Sequence, residues 1–487
     1  TRVIDLAGAF VTPGFNDAHC HLISVGAALE KIDLTGVSSL ERVRELVAER
    51  VARVKPGELV VGRGWDHTLL PGQQWPTKEI LDEVSPDNPV FLSRVDGHSL
   101  LVNSYVLKRA GITRATPDPE GGKIVRDPAN GEPTGVLKET AAGLVHQSDY
   151  GGNDDPAAAE RHLELALDLT ASLGVTSVSN ISRGEERLLE KFAQEGKLTT
   201  RIYYCPPLPE DEMKLDEYTA TAEKWKVYST LRFGFLKDFI DGTLGSATAA
   251  LFEPYSDDPS TSGVLVETVE ELQRKVLAAD RRSFQIGVHA IGTRGNRLVL
   301  DAFEKAIEVN GQRDSRHRIE HTQLLTEFDL PRFAALGVIA SMQPTHCITD
   351  KRFAERRLGL ERCRYAYAWR SVLSAGGRIA FGTDAPVEPL DPLEGLYAAV
   401  TRKDRQGEEG PGWIPEEKLS MAEAIELYTL GSAYAEFQEN EKGSIAPGKL
   451  ADIVVLSSNL LEAAEDEIMT TRVVYTIFDG RVIYSRE

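Results

Sequence analysis

The stretch Gly14-Phe-Asn-Asp-Ala-His-Cys-His-Leu22 (GFNDAHCHL) places two histidines two residues apart, directly after a Pro-Gly turn signal and an apolar run. In a strand, residues i and i+2 face the same side, so His19 and His21 would point together while Cys20 faces away. Two neutral imidazoles placed in this way can share a divalent ion. Because such pairs also occur in purely structural strands, the stretch alone leaves a metal site and an ordinary strand both open.

Short apolar runs alternate with amphipathic stretches from residue 150 onward, which is the pattern of parallel βα units. With the run that ends at His19, the chain has eight candidate strands at the spacing of a closed barrel. The other seven candidates are 174–179, 200–204, 231–236, 285–288, 318–320, 337–342 and 378–381. The sequence therefore predicts an α/β fold, a (β/α)8 barrel, and Ser420-Met-Ala-Glu423 predicts a capping box that opens its last large helix.

Three regions follow from this spacing. The barrel is predicted for 14–30 and 150–435, and the long gap after its first strand predicts an inserted α/β module, 31–149, over the barrel mouth. Residues 1–13 and 436–487 contain hairpin patterns that predict a small β-sandwich built from both chain ends. Since Thr1 begins inside a strand-like run without a starting Met, we expect that an N-terminal segment precedes it.

Charge and composition exclude several classes of partner. The 487 residues contain 55 Lys and Arg against 75 Asp and Glu, a net charge of −20, which opposes binding to nucleic acid or to anionic membranes. No apolar run approaches the roughly 20 residues that cross a bilayer, and no signal-peptide pattern is present. Four scattered cysteines lack metal or disulfide spacing. We therefore expect a cytoplasmic protein that acts on a small molecule.

Potential ligands follow several of the other candidate strands. They are Lys237, His289, His321 and Asp384. In a parallel barrel those strand ends form one rim, where such folds carry their active sites. The convergence of four of the ten histidines with an aspartate favours a metal centre over coincidence.

This constellation resembles the amidohydrolase superfamily over the whole barrel and both chain ends. The segments KDFIDGTLGSATAAL, GVHAIGTRGNR, RIEHTQLL, SMQPTH, FGTDAPV and DGHSLLVNSYVL are similar to its family 3 branch, which includes N-substituted formamide deformylase. The resemblance implies that His19, His21 and Asp384 hold one metal and that His289 and His321 hold a second. It also implies that Lys237 is carboxylated by carbon dioxide and bridges the two ions, since an ammonium has no lone pair to donate.

The resemblance implies a hydrolase that cleaves a non-peptide C–N bond, such as that of an N-acyl or N-formyl amide. A metal-held hydroxide would attack the carbon, and Asp384 would act as general base and then as general acid toward the leaving nitrogen. Zinc is the default for an imidazole-rich hydrolytic site, with one or two ions per chain, and manganese, iron or cobalt remain open. The resemblance is compatible with a homodimer.

Several assignments keep a structural alternative. Lys237 could instead pair with Asp238 or Asp241, which would leave one metal and place His321 on the substrate. His98, Asp241 and His346 are candidate substrate contacts. The alternative for His98 is an ordinary surface histidine, for Asp241 a simple Asp-Gly turn, and for His346 a loop histidine that is hydrogen-bonded to the backbone. His317 and His321 have the i, i+4 spacing of a helical zinc pair, but the intervening residues favour a strand with His317 at its far end.

Two rival functions also remain open. A deaminase or cyclic-amide hydrolase could use the same scaffold with a mononuclear site, because the metal centre does not set the leaving group. A barrel that binds metal without turnover is the alternative from another class, although every ligand position is filled and Asp384 is present.

Overall fold

The computed structural model of the chain describes residues 3–6, 8–94, 99–119, 121–150 and 156–486. The strands are β1 Phe10–Pro13, β2 Phe15–Cys20, β3 Ile32–Asp33, β4 Val60–Trp65, β5 Val90–Arg94, β6 Ser99–Val102, β7 Gly122–Arg126, β8 Pro133–Glu139, β9 Val175–Ile181, β10 Arg201–Cys205, β11 Leu231–Phe233, β12 Leu236–Phe239, β13 Ile286–Ala290, β14 Arg318–His321, β15 Ile339–Met342, β16 Arg378–Phe381, β17 Ile453–Leu456, β18 Val473–Phe478 and β19 Arg481–Ser485.

The helices are α1 Leu22–Leu29, α2 Leu40–Val51, α3 Glu79–Asp82, α4 Ser104–Arg109, α5 Pro156–Ser172, α6 Glu186–Gln194, α7 Glu212–Trp225, α8 Val269–Arg281, α9 Thr293–Asn310, α10 Leu330–Leu336, α11 Pro344–Leu358, α12 Trp369–Ser374, α13 Pro392–Thr401, α14 Met421–Glu426, α15 Ser432–Ala435 and α16 Glu465–Ile468. Short 3₁₀ turns occupy His67–Leu69, Pro71–Gln73, Thr140–Leu144, Gln147–Tyr150, Glu361–Cys363 and Pro415–Glu417. Within the parts of the chain described here, none of the helices has both the length and the apolar character needed to cross a membrane.

The central element is a closed parallel barrel. β2, β9, β10 and β11 form one sheet and β12 to β16 form a second. β11 and β12 are two halves of the fourth barrel strand, which is interrupted at Gly234 and Phe235. Parallel bridges from Cys20 to Ala385 and from Pro207 to Lys237 link the two sheets. The predicted barrel is therefore confirmed.

The strand ends differ in detail from the prediction. Lys237 and His289 lie inside β12 and β13 rather than after them, and His321 is the last residue of β14. Asp384 follows β16 by three residues and has a left-handed backbone, with φ of 61°. The segment after β16 is hydrogen-bonded to the end of β2 at this point, since the Asp384 N–H donates to the carbonyl of His19 at 2.7 Å. The last strand thereby brings its aspartate beside the first.

The capping box predicted at Ser420 is confirmed. Its Oγ accepts from the Glu423 N–H at 3.3 Å, and the Glu423 carboxylate accepts from the Ser420 N–H at 2.8 Å. The helix that it opens is shorter than predicted, because α14 gives way to a π-helical segment, Leu427–Gly431, before α15. Ser432 Oγ also donates to the carbonyls of Leu427 at 2.9 Å and of Phe381 at 3.0 Å, which ties the end of this segment to β16.

Residues 26–165 form a separate compact unit. Its sheet has the order β3-β4-β5-β6-β8-β7, parallel from β3 to β5 and antiparallel from β5 onward. Buried aliphatic side chains such as Val60, Leu92 and Leu101 pack around Trp65 on this sheet, and Trp65 Nε1 donates to the carbonyl of Leu92 at 2.8 Å.

The two ends of the chain meet in one antiparallel sheet of order β1-β17-β18-β19. β1 pairs with β17 from Phe10 opposite Leu456 to Pro13 opposite Ile453. β18 and β19 form the hairpin around the Asp479-Gly480 turn, where both residues have positive φ. Pro13 and Gly14 then lead directly from this sheet into β2, the first barrel strand.

Candidate metal centre

His19 and His21 converge on Asp384. The Nε2 atoms of His19 and His21 lie 3.4 and 3.1 Å from Asp384 Oδ1. Asp17 fixes this junction, because its carboxylate accepts from the backbone N–H groups of His19 and Thr383, each at 3.0 Å. The ends of the first and last barrel strands are thus held together by hydrogen bonds that do not involve the candidate ligands' side chains.

Gly382 makes the close approach of these strands possible. A Cβ at this position would lie 2.5 Å from the backbone nitrogen of His19 and 2.6 Å from Asp17 Oδ1. Any side chain would therefore push the segment that carries Asp384 away from His19.

His321 and His289 complete the cluster. The ring centroids of His19 and His321 are 4.8 Å apart, and those of His289 and His321 are 4.5 Å apart. One ligand atom each of His19, His321 and Asp384 lies within 4.8 Å of the others, and all three residues are buried. Nitrogen and carboxylate donors at this spacing fit a divalent transition metal.

Three imidazoles are held by acceptors at Nδ1. His19 Nδ1 lies 2.6 Å from Glu320 Oε2, His21 Nδ1 lies 2.8 Å from the carbonyl of Ile181, and His321 Nδ1 lies 2.8 Å from Gln343 Oε1. Because each of these oxygens accepts, Nδ1 carries the hydrogen. The other nitrogen, Nε2, is then the one available to a metal.

His289 has the opposite arrangement. Its Nε2 donates to the carbonyl of Gly242 at 3.1 Å, so Nδ1 is the nitrogen with a free lone pair. This difference in donor atom separates His289 from the other three histidines.

Burial keeps most of the cluster neutral. It lowers the pKa of His19 and His321 below the usual range and that of His289 to about 3. Neutral imidazole is the form that binds a metal. His21 is the exception, because burial lowers its pKa but the contact of its Nε2 with the Asp384 carboxylate raises the pKa by more, so the net shift is upward.

Asp384 is ionised in this setting. Burial alone would raise its pKa, but the nearby His19 and the contact with His21 Nε2 hold the pKa of Asp384 well below its usual range. Its Oδ1 faces these two imidazoles, whereas Oδ2 lies 3.7 Å from His346 Nε2. The carboxylate therefore offers one oxygen to the histidine pair and the other to the space near His346.

Lys237 is buried beside the cluster. Its Nζ donates to the carbonyl of Asp238 at 3.1 Å and lies 3.3 Å from the centroid of the Phe239 ring. Burial lowers its pKa to about 8. The Asp238 carboxylate pairs instead with Lys275 at 2.5 Å, so the ion pair considered as an alternative for Lys237 is not formed there.

The Asp241 carboxylate anchors loops. It accepts from the backbone N–H groups of Ala250 at 2.8 Å, Ile291 at 3.0 Å and Gly292 at 2.8 Å, and burial raises its pKa to about 6. These bonds tie the segment after β12 to the segment after β13. A substrate would have to compete with three backbone donors for this carboxylate.

The remaining candidate histidines, His346, His98 and His317, occupy different positions. His346, on the first turn of α11, accepts at Nδ1 from Gln323 Nε2 at 3.1 Å, and its buried Nε2 has no hydrogen-bond partner among the described residues. His98 lies outside the described residues. His317 directly precedes β14, where it contacts the N–H of Ile286 and the Asp280 carboxylate, so the strand predicted for this segment is confirmed over the helical pair.

Sequence reasoning missed several residues of this site. Glu320, Gln343 and Gln323 hold the imidazoles, and Phe239, 47% exposed, lies with its ring 5.3 Å from that of His289. Glu320 lies within β14, directly before His321, and Gln343 directly follows β15, three residues before His346. Their position in RIEH and SMQPTH was the available signal.

Known proteins provide an independent comparison. The amidohydrolase family matches residues 2–484 of the chain. YtcJ of Bacillus subtilis, which is named as an amidohydrolase, is 35% identical and aligns with 100% of this chain and 91% of its own. The N-substituted formamide deformylase of Arthrobacter pascens is 28% identical, with 100% and 90% covered.

A crystal structure of an uncharacterised metal-dependent hydrolase from Pyrococcus horikoshii OT3 has the same fold. It superposes with a TM-score of 0.75 at 30% identity and covers 96% of this chain and 89% of that chain. With a family match over almost its whole length, the chain belongs to the amidohydrolase family.

Proposed function

We propose that this protein is a metal-dependent hydrolase that cleaves a non-peptide C–N bond of a small molecule, with an N-acyl or N-formyl amide as substrate. The observation that carries the proposal is the orientation of the imidazoles. His19, His21 and His321 each give Nδ1 to a fixed acceptor, and the Nε2 atoms of His19 and His21 face Asp384 Oδ1. Imidazoles whose second nitrogen is held in this way are what a hydrolytic metal site requires.

The residues that would hold the metal are His19, His21 and Asp384 for one ion and His289 and His321 for a second, with Lys237, once carboxylated, as a further ligand. A divalent ion held there would lower the pKa of water and polarise a carbonyl or amidine-like carbon. The default metal is zinc.

Asp384 moves the proton in this proposal. Its low pKa makes it a carboxylate at neutral pH, and Oδ2 is the oxygen turned away from His19 and His21. We assign to Oδ2 the acceptance of the proton from the attacking water and its delivery to the leaving nitrogen.

The substrate class is supported by the surface beside the cluster. The half-exposed ring of Phe239 lies next to His289, and an aromatic face there favours an apolar substituent on the scissile amide. The relative that is 28% identical over the whole chain is named as a deformylase of N-substituted formamides. Both features support an apolar N-substituted amide over a charged substrate.

The test is a metal-loading experiment coupled to a substrate screen. Protein stripped by a chelator is expected to lose hydrolysis of N-formyl or N-acyl amines and to regain it with zinc, manganese or cobalt. Cyclic amides, N-acyl amino acids and aminated heterocycles serve as the comparison set. Hydrolysis that persists in fully stripped protein would contradict the proposal.

His346 is proposed to bind the substrate carbonyl. Because Gln323 donates to Nδ1, Nε2 carries the hydrogen, and this buried donor has no partner in the described chain. A hydrogen bond to an oxygen that gains negative charge strengthens in the transition state.

His346→Ala is therefore expected to lower kcat by about 100-fold at saturating metal, with unchanged metal content by elemental analysis. His346→Gln keeps an N–H donor and should recover part of kcat. If the alanine protein instead lost metal and excess metal restored its activity, His346 would be a ligand and this assignment would be wrong.

A second candidate function is a mononuclear deaminase or cyclic-amide hydrolase. The compact triad of His19, His321 and Asp384 favours it, since Lys237 Nζ lies on the Phe239 ring. One ion per chain, together with release of ammonia from an aminated heterocycle, would support this reading. Two ions per chain and hydrolysis of an acyclic amide would support the proposed amide hydrolase with a two-metal site.

A further inference from the structure

A charged pair lies in the interior of the barrel next to the cluster. Arg318 and Glu320 are both fully buried, and Arg318 Nε donates to Glu320 Oε1 at 2.7 Å. Barrel interiors of this kind are usually filled by branched apolar side chains. Because burial of an ion pair is weak evidence for stability, the pair calls for another role.

Arg318 is held from two other strands. Its Nη2 donates to the carbonyl of Ala18 at 2.6 Å and to Ser341 Oγ at 2.8 Å, on β2 and β15. The guanidinium also lies 4.2 Å from the centre of the Phe235 ring. With this many contacts the arginine has little freedom to turn, so the carboxylate bound to it is fixed as well.

Glu320 connects this pair to the candidate ligand His19. Arg318 donates to both of its oxygens, from Nε to Oε1 at 2.7 Å and from Nη2 to Oε2 at 3.2 Å, and this bidentate pairing with a guanidinium holds Glu320 as a carboxylate. An ionised carboxylate can only accept. The contact of 2.6 Å therefore fixes the hydrogen of His19 on Nδ1.

We propose that Glu320, held in place by Arg318, is a positioning residue that fixes the ring orientation and tautomer of His19 and so presents Nε2 to the metal. The proposal rests on the metal site of the proposed function. It concerns an indirect role, since Glu320 lies behind the imidazole and not on the side of Asp384.

His19 is the one of the three histidines with Nδ1 hydrogen-bonded to an acceptor whose acceptor is a charged carboxylate. His21 and His321 give Nδ1 to neutral oxygens, the carbonyl of Ile181 and the amide of Gln343. When the partner at Nδ1 is a carboxylate rather than a neutral oxygen, the imidazole is more basic and its Nε2 binds a metal more strongly. Loss of the charge on Glu320 should therefore weaken metal binding, even where the shape of the side chain is kept.

The test compares Glu320→Gln with the wild type by competition of zinc against a chromophoric chelator. The dissociation constant of one ion is expected to rise about 10–100-fold, and the visible spectrum of the cobalt-loaded protein is expected to shift. Arg318→Met/Glu320→Gln removes both charges and provides a second variant if Glu320→Gln alone fails to fold. Wild-type affinity and an unchanged cobalt spectrum in either folded variant would overturn the proposal.

Asp452→Asn is the matched control. Asp452 accepts from Arg201 at 2.6 and 3.0 Å in another buried pair of the same unit. The substitution should lower the unfolding temperature and leave zinc affinity within about twofold of wild type, since these residues do not contact His19. An equal loss of zinc affinity in Asp452→Asn would show a general structural effect and overturn the specific role of Glu320.

Histidine ¹⁵N spectra of the metal-free protein separate this proposal from the proposed function. In the wild type, His19 is expected to carry hydrogen on Nδ1, and in the Glu320 variants the signal should shift toward a mixture of tautomers. This readout needs neither substrate nor metal. A wild-type protein that binds no metal overturns the proposed function, whereas an unchanged His19 tautomer in the variants overturns the positioning role.

Discussion

Asp384→Asn is expected to lower kcat/KM by about a thousandfold, the largest effect of any single substitution in the cluster. An amide keeps the size of the carboxylate but cannot accept the proton of the attacking water. It also removes the negative charge that faces His19 and His21 at 3.4 and 3.1 Å. The measurement is steady-state hydrolysis of the best amide found in the screen, at saturating metal.

Metal content has to be determined on the same samples, because Asp384 is also a proposed ligand. Asp391→Asn is the control, since Asp391 caps α13 in the following segment and accepts from the Leu393 N–H at 2.9 Å. Asparagine caps helices as well as aspartate does, so this variant should keep its activity. Undiminished hydrolysis by Asp384→Asn would contradict the proposed proton transfer.

Lys237→Met is expected to reduce bound metal from two ions to one and to lower kcat by about 100-fold or more, if a carboxylated lysine bridges the ions. Methionine fills similar space without an amine that carbon dioxide can modify. Added acetate or propionate should restore part of the activity, because a small carboxylate can occupy the place of the carbamate. Elemental analysis and activity with and without the acid are the measurements.

The pH dependence of this activation follows from the pKa of Lys237, which burial lowers to about 8. The amine is mostly an ammonium below this value and mostly neutral above it, and only the neutral form reacts with carbon dioxide. At constant dissolved carbon dioxide, activation of stripped protein should therefore become faster from pH 7 to pH 9.

Lys275→Met is the control for the lysine substitution. Lys275 is also buried, but it pairs with Asp238 and Glu267 at 2.5 and 2.6 Å. Its loss should reduce thermal stability and leave the metal content unchanged. Two ions retained in Lys237→Met would rule out the bridging role, and one ion in both wild type and variant would favour the mononuclear alternative.

Much of the fold was predictable because it depends on local sequence. Apolar runs of strand length, separated by amphipathic stretches, recur along the chain from residue 174 to 381, and this periodicity predicts the parallel barrel. The break of the fourth strand at Gly234 and the π-helical segment before α15 were not predictable in this way. Both arise where a strand or helix adjusts to neighbours that are distant in sequence.

The types of the candidate ligands were also set by the sequence, since His19, His289 and His321 each stand near the end of an apolar run. Asp241, predicted as a substrate contact, shows what the sequence leaves open. An Asp-Gly pair near a strand end is equally compatible with a free carboxylate and with one bound by three backbone N–H groups, and only the folded loops distinguish them.

The sequence by itself determined the barrel and the kinds of donor atoms at its rim, because secondary structure follows from periodicity over a few residues. Tertiary structure alone decided which nitrogen each imidazole presents and which oxygen of Asp384 remains turned away from the histidine pair. Glu320 lies 301 residues from the His19 that it holds. Hydrogen bonds act over about 3 Å in space, so a contact across that distance in sequence exists only once the barrel has closed.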